Sequence, residues 1–134
     1  MEPEAFPMVL LRHTLPDGTW HFDWLLATCT LDAAKDAPDV RDVVTLRVTE
    51  PVHAPGSIGG TAERLADHRR LYLWFEGEIS GNRGRVFRVA AGLWCRRESG
   101  PGGFRFTARF EGGDWRGWRL DGGTVSPEEP HCGS

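Results

Sequence analysis

Apolar and polar residues alternate with a period of two over much of this chain, the pattern of half-buried strands. It is clearest at Phe104-Arg105-Phe106-Thr107-Ala108-Arg109-Phe110, which sets an aromatic face against a polar one. Residues 7–13 and 20–27 flank the turn Leu15-Pro16-Asp17-Gly18 and predict a hairpin. The β-branched run 42–49 predicts a third strand, and 71–79, 84–90, 93–98 and 115–120 predict further ones. Residues 30–41 read as a loop or one irregular helical turn. Residues 51–60, with two Pro and three Gly, read as loop. Residues 61–66 predict a short helix with Thr61 as its cap. Residues 122–134 read as a frayed tail. Eight short strands punctuated by Gly and Pro imply a sandwich or a small closed barrel, in one domain spanning 1–134.

Composition narrows this picture. The chain is 40% hydrophobic and 26% charged, enough apolar content to bury a core. No apolar run approaches the roughly 20 residues that span a bilayer. The start, Met1-Glu2-Pro3-Glu4, lacks the basic-then-apolar order of a signal peptide. A cytoplasmic protein with no membrane partner is therefore expected. A net charge of −3 argues against a general nucleic-acid coat, yet fifteen of the sixteen basic residues are Arg. Arginine presents a planar donor fork suited to phosphate. Cys29, Cys95 and Cys132 are odd in number and widely spaced, which argues against a disulfide framework and for a reducing compartment.

The strand at 20–27 carries the strongest chemical signal. Its alternation puts Trp20, Phe22, Trp24 and Leu26 on a core face, and His21, Asp23 and Leu25 on the other. Positions i and i+2 lie roughly 6–7 Å apart along a strand, so their side chains can converge on one ion. His13 ends the preceding strand, across the hairpin. Two imidazoles and a carboxylate on one facet leave open positions, as a catalytic metal site requires. The same spacing also fits a solvated polar face. A second cluster, Arg64, His68, Arg69, Arg70 and Tyr72, could recognise phosphate, or simply form a surface junction. Ser80-Gly81-Asn82-Arg83-Gly84 lacks the Lys-Ser/Thr pair of a nucleotide loop and reads as a turn. His53 and His131 carry no evident chemistry.

Three segments in order resemble one family. Leu11-Arg12-His13 followed by Trp20-His21-Phe22-Asp23-Trp24 is similar to the His, then His-Tyr-Asp-Phe-Arg, of the 3′-phosphoesterase domain of bacterial DNA ligase D. Asp67-His68-Arg69-Arg70-Leu71-Tyr72 with Phe75-Glu76-Gly77-Glu78-Ile79 resembles that domain's Asp-His-Pro-x-x-Tyr and Phe-Glu-Gly-x-Ile. Phe104–Thr107 with Trp115–Leu120 resembles its closing strands. The likeness runs from about residue 7 to 121, the expected core. It implies a mainly all-β fold: a small antiparallel barrel, closed or partly open, with short helical turns.

The resemblance further implies a metal-dependent phosphoesterase of DNA repair, removing a 3′-phosphate or 3′-ribonucleotide from nucleic-acid ends. It implies His13, His21 and Asp23 as ligands of a divalent metal, Mn²⁺ first, with Zn²⁺ or another ion compatible with the same donors. His68 would contact the scissile phosphate and Tyr72 would orient the substrate. The partners would be a 3′ end of DNA or DNA/RNA and an end-joining ligase in trans. Three features depart from the family pattern. Leu25 stands where the family has Arg, the family Lys after the third strand is missing, and the interval from His13 to His21 is two residues longer. Arg64, Arg69, Arg70 and Arg85 are the candidate phosphate contacts in compensation. The alternative expectation is a catalytically weakened, metal-containing module that binds a nucleic-acid end or a phosphorylated ligand. A structural barrel without metal is the third.

Overall fold

The computed structural model describes residues 4–97 and 104–130. The strands are β1 (Phe6–Thr14), β2 (Trp20–Leu26), β3 (Arg41–Val48), β4 (Gly60–Arg69), β5 (Gly77–Glu78), β6 (Arg85–Arg96), β7 (Phe104–Phe110), β8 (Arg116–Asp121) and β9 (Thr124–Glu128). A short helix α1 (Leu31–Asp36) joins β2 to β3, and a 3₁₀ turn (Arg70–Leu73) follows β4. The sheet runs β1-β2-β3-β4-β9-β8-β7-β6-β5, and β1 also pairs with β6. That extra ladder closes eight antiparallel strands into a barrel, with β5 appended outside the ring. No helix among the described residues is long and apolar enough to cross a membrane.

Alternation builds two cores rather than one. Met8, Leu10, Phe22, Trp24, Leu26, Leu46, Phe106 and Trp118 fill the barrel interior. Trp24 is its centre: Phe106 and Trp118 meet it edge-on at 5.0 and 5.4 Å, and Phe110 stacks on it at 5.7 Å. Its indole N–H faces Met8 Sδ at 3.3 Å. The opposite face of the same strands carries Val9, Leu11, Leu25, Val43 and Val86. There α1 and the 3₁₀ turn form a cover, with Ala34, Leu73, Tyr72, Trp74, Phe75 and Ile79 packed on the outer wall. Thr30 caps α1 by accepting from the Ala33 amide at 3.2 Å. Arg70 fastens the cover, donating from Nε and Nη2 to the two carboxylate oxygens of Asp42 on β3 at 3.0 and 2.8 Å.

Several expectations need correcting. Residues 61–66 form part of β4, not a helix. Six residues gain little as an isolated helix, whereas as a strand they pair with β3. Residues 71–79 do not form one strand. Their unbroken apolar run, Leu71-Tyr72-Leu73-Trp74-Phe75, wraps the outer core as a 3₁₀ turn and loop, and only Gly77–Glu78 pair in a ladder. The strands expected at 84–90 and 93–98 merge into one, β6 (Arg85–Arg96), running through Gly92, and residue 98 lies outside the described residues. A Cβ at Gly92 would lie 1.9 Å from the Arg109 carbonyl oxygen, so glycine there permits the close approach of β7 rather than a break.

The expected tail contains β9. Gly122 and Gly123 both have positive φ (60° and 86°) and make the two-residue turn that pairs Asp121 with Thr124. β9 then pairs with β4 through Gly60 with Val125 and Thr61 with Thr124, and beside them the Ala62 amide donates to the Gly123 carbonyl at 2.9 Å. Residues 131–134, including His131 and Cys132, lie outside the described residues. Trp20, expected in the core, is 47% exposed on the barrel rim. Cys29 is a free thiol, but Cys95 is disulfide-bonded, against the reading of the cysteine spacing.

Two predictions follow from the outer core. Leu25 is fully buried beneath the cover. Leu25→Ala is expected to destabilise by about 2–5 kcal/mol, read from the denaturant midpoint; a loss below half a kcal/mol would deny the second core. The Arg70 fork hydrogen-bonds Asp42 and holds its carboxyl below the usual range. A depressed carboxylate stabilises above its unfolded value and loses that contribution as pH falls through the folded one. Asp42→Asn should therefore cost stability near neutrality and lose less on acidification than the parent. A parallel pair of stability-versus-pH curves would refute this.

Candidate metal centre

The site is built on the outer face, near one end of β1 and β2. His13 and His21 are register partners, and Asp23 is next but one along β2. Strand alternation turns all three outward, while Phe22 and Trp24 point into the barrel. Asp23 is 3% exposed, so its charge needs compensation within the fold. Its Oδ2 lies 3.3 Å from His13 Nδ1 and its Oδ1 lies 3.1 Å from His21 Nε2. The two rings meet edge-on with centroids 5.0 Å apart. Burial pushes the Asp23 carboxyl up, but the imidazoles at its two oxygens outweigh this and bring it down to about 2. The hydrogen bond to Asp23 raises His13 against the opposing effect of its burial.

The donor set fits a divalent ion. His13 Nε2 lies 2.8 Å from the Arg83 carbonyl oxygen, which fixes the proton on that nitrogen and turns Nδ1 toward Asp23. His21 Nε2 and Asp23 Oδ1 are buried, lie close together and lack hydrogen-bond partners. One donor atom from each residue falls within 4.8 Å of the others. Ligands about 2.0–2.2 Å from a shared metal stand about 3.0–3.5 Å apart, and each imidazole nitrogen lies in that range from one Asp23 oxygen, His13 from Oδ2 and His21 from Oδ1. Two nitrogens and a carboxylate suit Mn, Fe or Zn.

Beside the triad lies a cavity of about 140 Å³. Leu11, Ile79 and Val86 supply its apolar floor; His13, Asp23, His68 and Tyr72 line it together with Arg41, Arg69 and Arg83. At about 30 Å³ per water, this space suits a small anion rather than a whole nucleotide. His68 Nδ1 lies 3.0 Å from the Ala66 carbonyl oxygen, which assigns its proton there and leaves Nε2 for other work. The rings of His68 and Tyr72 meet edge-on at 6.1 Å. Arg69 is paired with Asp39.

The structure thus brings six of the sequence candidates to one place: His13, His21, Asp23, His68, Tyr72 and Arg69. His21 does not line the cavity. Three arginines fall elsewhere. Arg64 pairs with Asp67 at 3.7 Å and lies over the Phe104 ring. Arg70 is committed to Asp42, as described. Arg85 lines a separate groove with Glu78 and Asn82. Arg41 and Arg83 were missed. Arg83 sits in the Ser80–Gly84 turn, read only as a turn, and donates from Nε to the Ser80 carbonyl at 2.7 Å. Arg41 opens β3 opposite Arg69, a pairing that no local motif announces. No family model and no curated protein matches this chain.

Calorimetric titration with MnCl₂ should give one ion per chain, accompanied by a rise in Tm. His21→Ala or Asp23→Ala should remove both effects. An unchanged melt on adding the ion, or equal stabilisation of Asp23→Ala, would exclude the centre.

Proposed function

We propose that this protein is a metal-dependent phosphoesterase acting on nucleic-acid 3′ ends, removing a 3′-phosphate or 3′-ribonucleotide. The observation that carries the reading is the juxtaposition of the His13–His21–Asp23 triad with a small cavity walled by His68, Tyr72 and three arginines. A divalent ion held by the triad, Mn²⁺ in this reading, would act as a Lewis acid on a phosphoryl oxygen. The arginines would neutralise the phosphate. Arg41 and Arg83 replace Arg64, Arg70 and Arg85 in that role. His68, carrying its fixed proton on Nδ1, would in its imidazolium form donate from Nε2 to the leaving 3′-oxygen. Water adds at phosphorus as the bond to that oxygen breaks, releasing phosphate and a 3′-hydroxyl. Tyr72 would orient the end. The product is the substrate of an end-joining ligase, the partner this reading supposes in trans.

Two observations favour the second reading, a module that binds ends with little turnover. Arg69 is already paired with Asp39, and Leu25 lies in the outer core where no substrate reaches it. Restoring an Arg at 25 would bury a charge and is not a clean test.

The test is phosphate release from a 3′-phosphorylated primer–template, with Mn²⁺ and with chelator. His68→Ala should lower release on the order of 10²–10⁴-fold, and Arg41→Ala should weaken substrate binding more than turnover. His21→Ala and Asp23→Ala should abolish release. Undiminished release by Asp23→Ala would refute the assignment, and stoichiometric Mn²⁺ without release would favour the binding module.

A further inference from the structure

The opposite face of β2 leads to a second cavity. Phe22, between His21 and Asp23, points into the barrel and meets His53 edge-on at 6.4 Å. His53 in turn meets Phe110 at 6.2 Å, and Trp20 meets Phe22 at 5.2 Å. These rings form a row from the exposed rim, where Trp20 carries Arg12 at 4.2 Å over its face, to the barrel mouth. Phe87, opposite Arg12 across the β1–β6 ladder, is 49% exposed on the same rim. The mouth holds a cavity of about 320 Å³, lined by Val52, His53, Phe110, Asp114, Arg116 and Trp118 among others.

Two polar atoms in this lining are buried without a partner: His53 Nδ1 and Arg116 Nη1. Arg116 is held in place. Its Nη2 donates to the Ser57 carbonyl at 2.6 Å, and its guanidinium lies over the Trp118 ring at 4.8 Å. An anchored guanidinium with one nitrogen unsatisfied loses the hydrogen bonds that nitrogen would have in water. A ligand acceptor would restore them.

We propose that the barrel mouth is a second binding site, separate from the metal centre, which takes a purine base of the guanine type. The lining suits a flat ring that offers acceptors on one edge and donors on another. Phe110 gives the ring a face to lie on. The Arg116 guanidinium, on the cavity wall, meets the acceptor edge, as guanidinium meets guanine O6 and N7. Asp114, on the same lining, accepts from the ring N–H and amino group. The volume lies near the lower end of ligand pockets, right for a base and its sugar.

The test is an amide and indole NMR titration of the full chain with guanosine 5′-monophosphate, using ribose 5-phosphate as the probe lacking a base. Shifts should gather at Val52, His53, Phe110, Arg116 and Trp118 with the nucleotide and be absent there with the sugar phosphate. Phe110→Leu and Arg116→Lys, each checked for a native spectrum, should each weaken the nucleotide about tenfold. The proposal is overturned if these residues do not move, if shifts appear only around His13 and His68, if ribose 5-phosphate moves the mouth equally, or if both variants bind like the parent. The titration needs neither Mn²⁺ nor turnover, so failure of the phosphoesterase reading leaves its outcome interpretable.

Discussion

A carboxylate taken out of water needs compensation nearby, and two strands hold an imidazole nitrogen within 3.3 Å of each Asp23 oxygen. The arrangement depends on the hairpin register that sets His13 opposite His21. It depends equally on the cover of α1 and the 3₁₀ turn, which makes the outer face of β2 an interior. The ion pair Arg70–Asp42 and the cap at Thr30 therefore bear on the candidate centre without touching it.

β2 is used on both sides. Its even-numbered residues build the barrel core and the aromatic row to the mouth. Its odd-numbered residues supply two of the triad, His21 and Asp23, and Leu25 of the outer core. A register slip of one residue would exchange the two sets and place carboxylate and imidazole against Trp118. The tight packing around Trp24 thus protects the site's geometry as well as the fold.

Much of this was legible in the sequence where the signal is local. The hairpin, the facing of His21 and Asp23, and the alternation of β7 all follow from period-two patterning. The β-rich architecture follows from many short alternating runs broken by Gly and Pro. What escaped notice is mostly non-local. The segment 61–66 has helical composition, and only the ladder with β3 makes it a strand. Arg41 and Arg83 reach the cavity through pairings and turns far apart in the chain, while Arg70 is withdrawn from it by an aspartate 28 residues away. The exposure of Trp20 reflects where β2 begins relative to the rim, which periodicity does not encode. One miss was readable: Gly122-Gly123 between Leu120 and Val125 is a hairpin signal, and it marked β9.

The short seam between β4 and β9 bears on motion. Elsewhere the ring is closed by long ladders, but here two residue pairs and the hydrogen bond from Ala62 to Gly123 join the strands. Stability is distributed unevenly in proteins, and opening begins where the least ladder must be given up. This barrel should breathe at that slit, with the amides of Ala62 and Val125 exchanging ahead of those of β1 and β2. The loop 51–59, which leads into β4 and helps wall the mouth, would move with it. The candidate metal centre, on the longer β1–β2 ladder, would keep its geometry while the mouth widens, so the two faces of β2 would have different clocks.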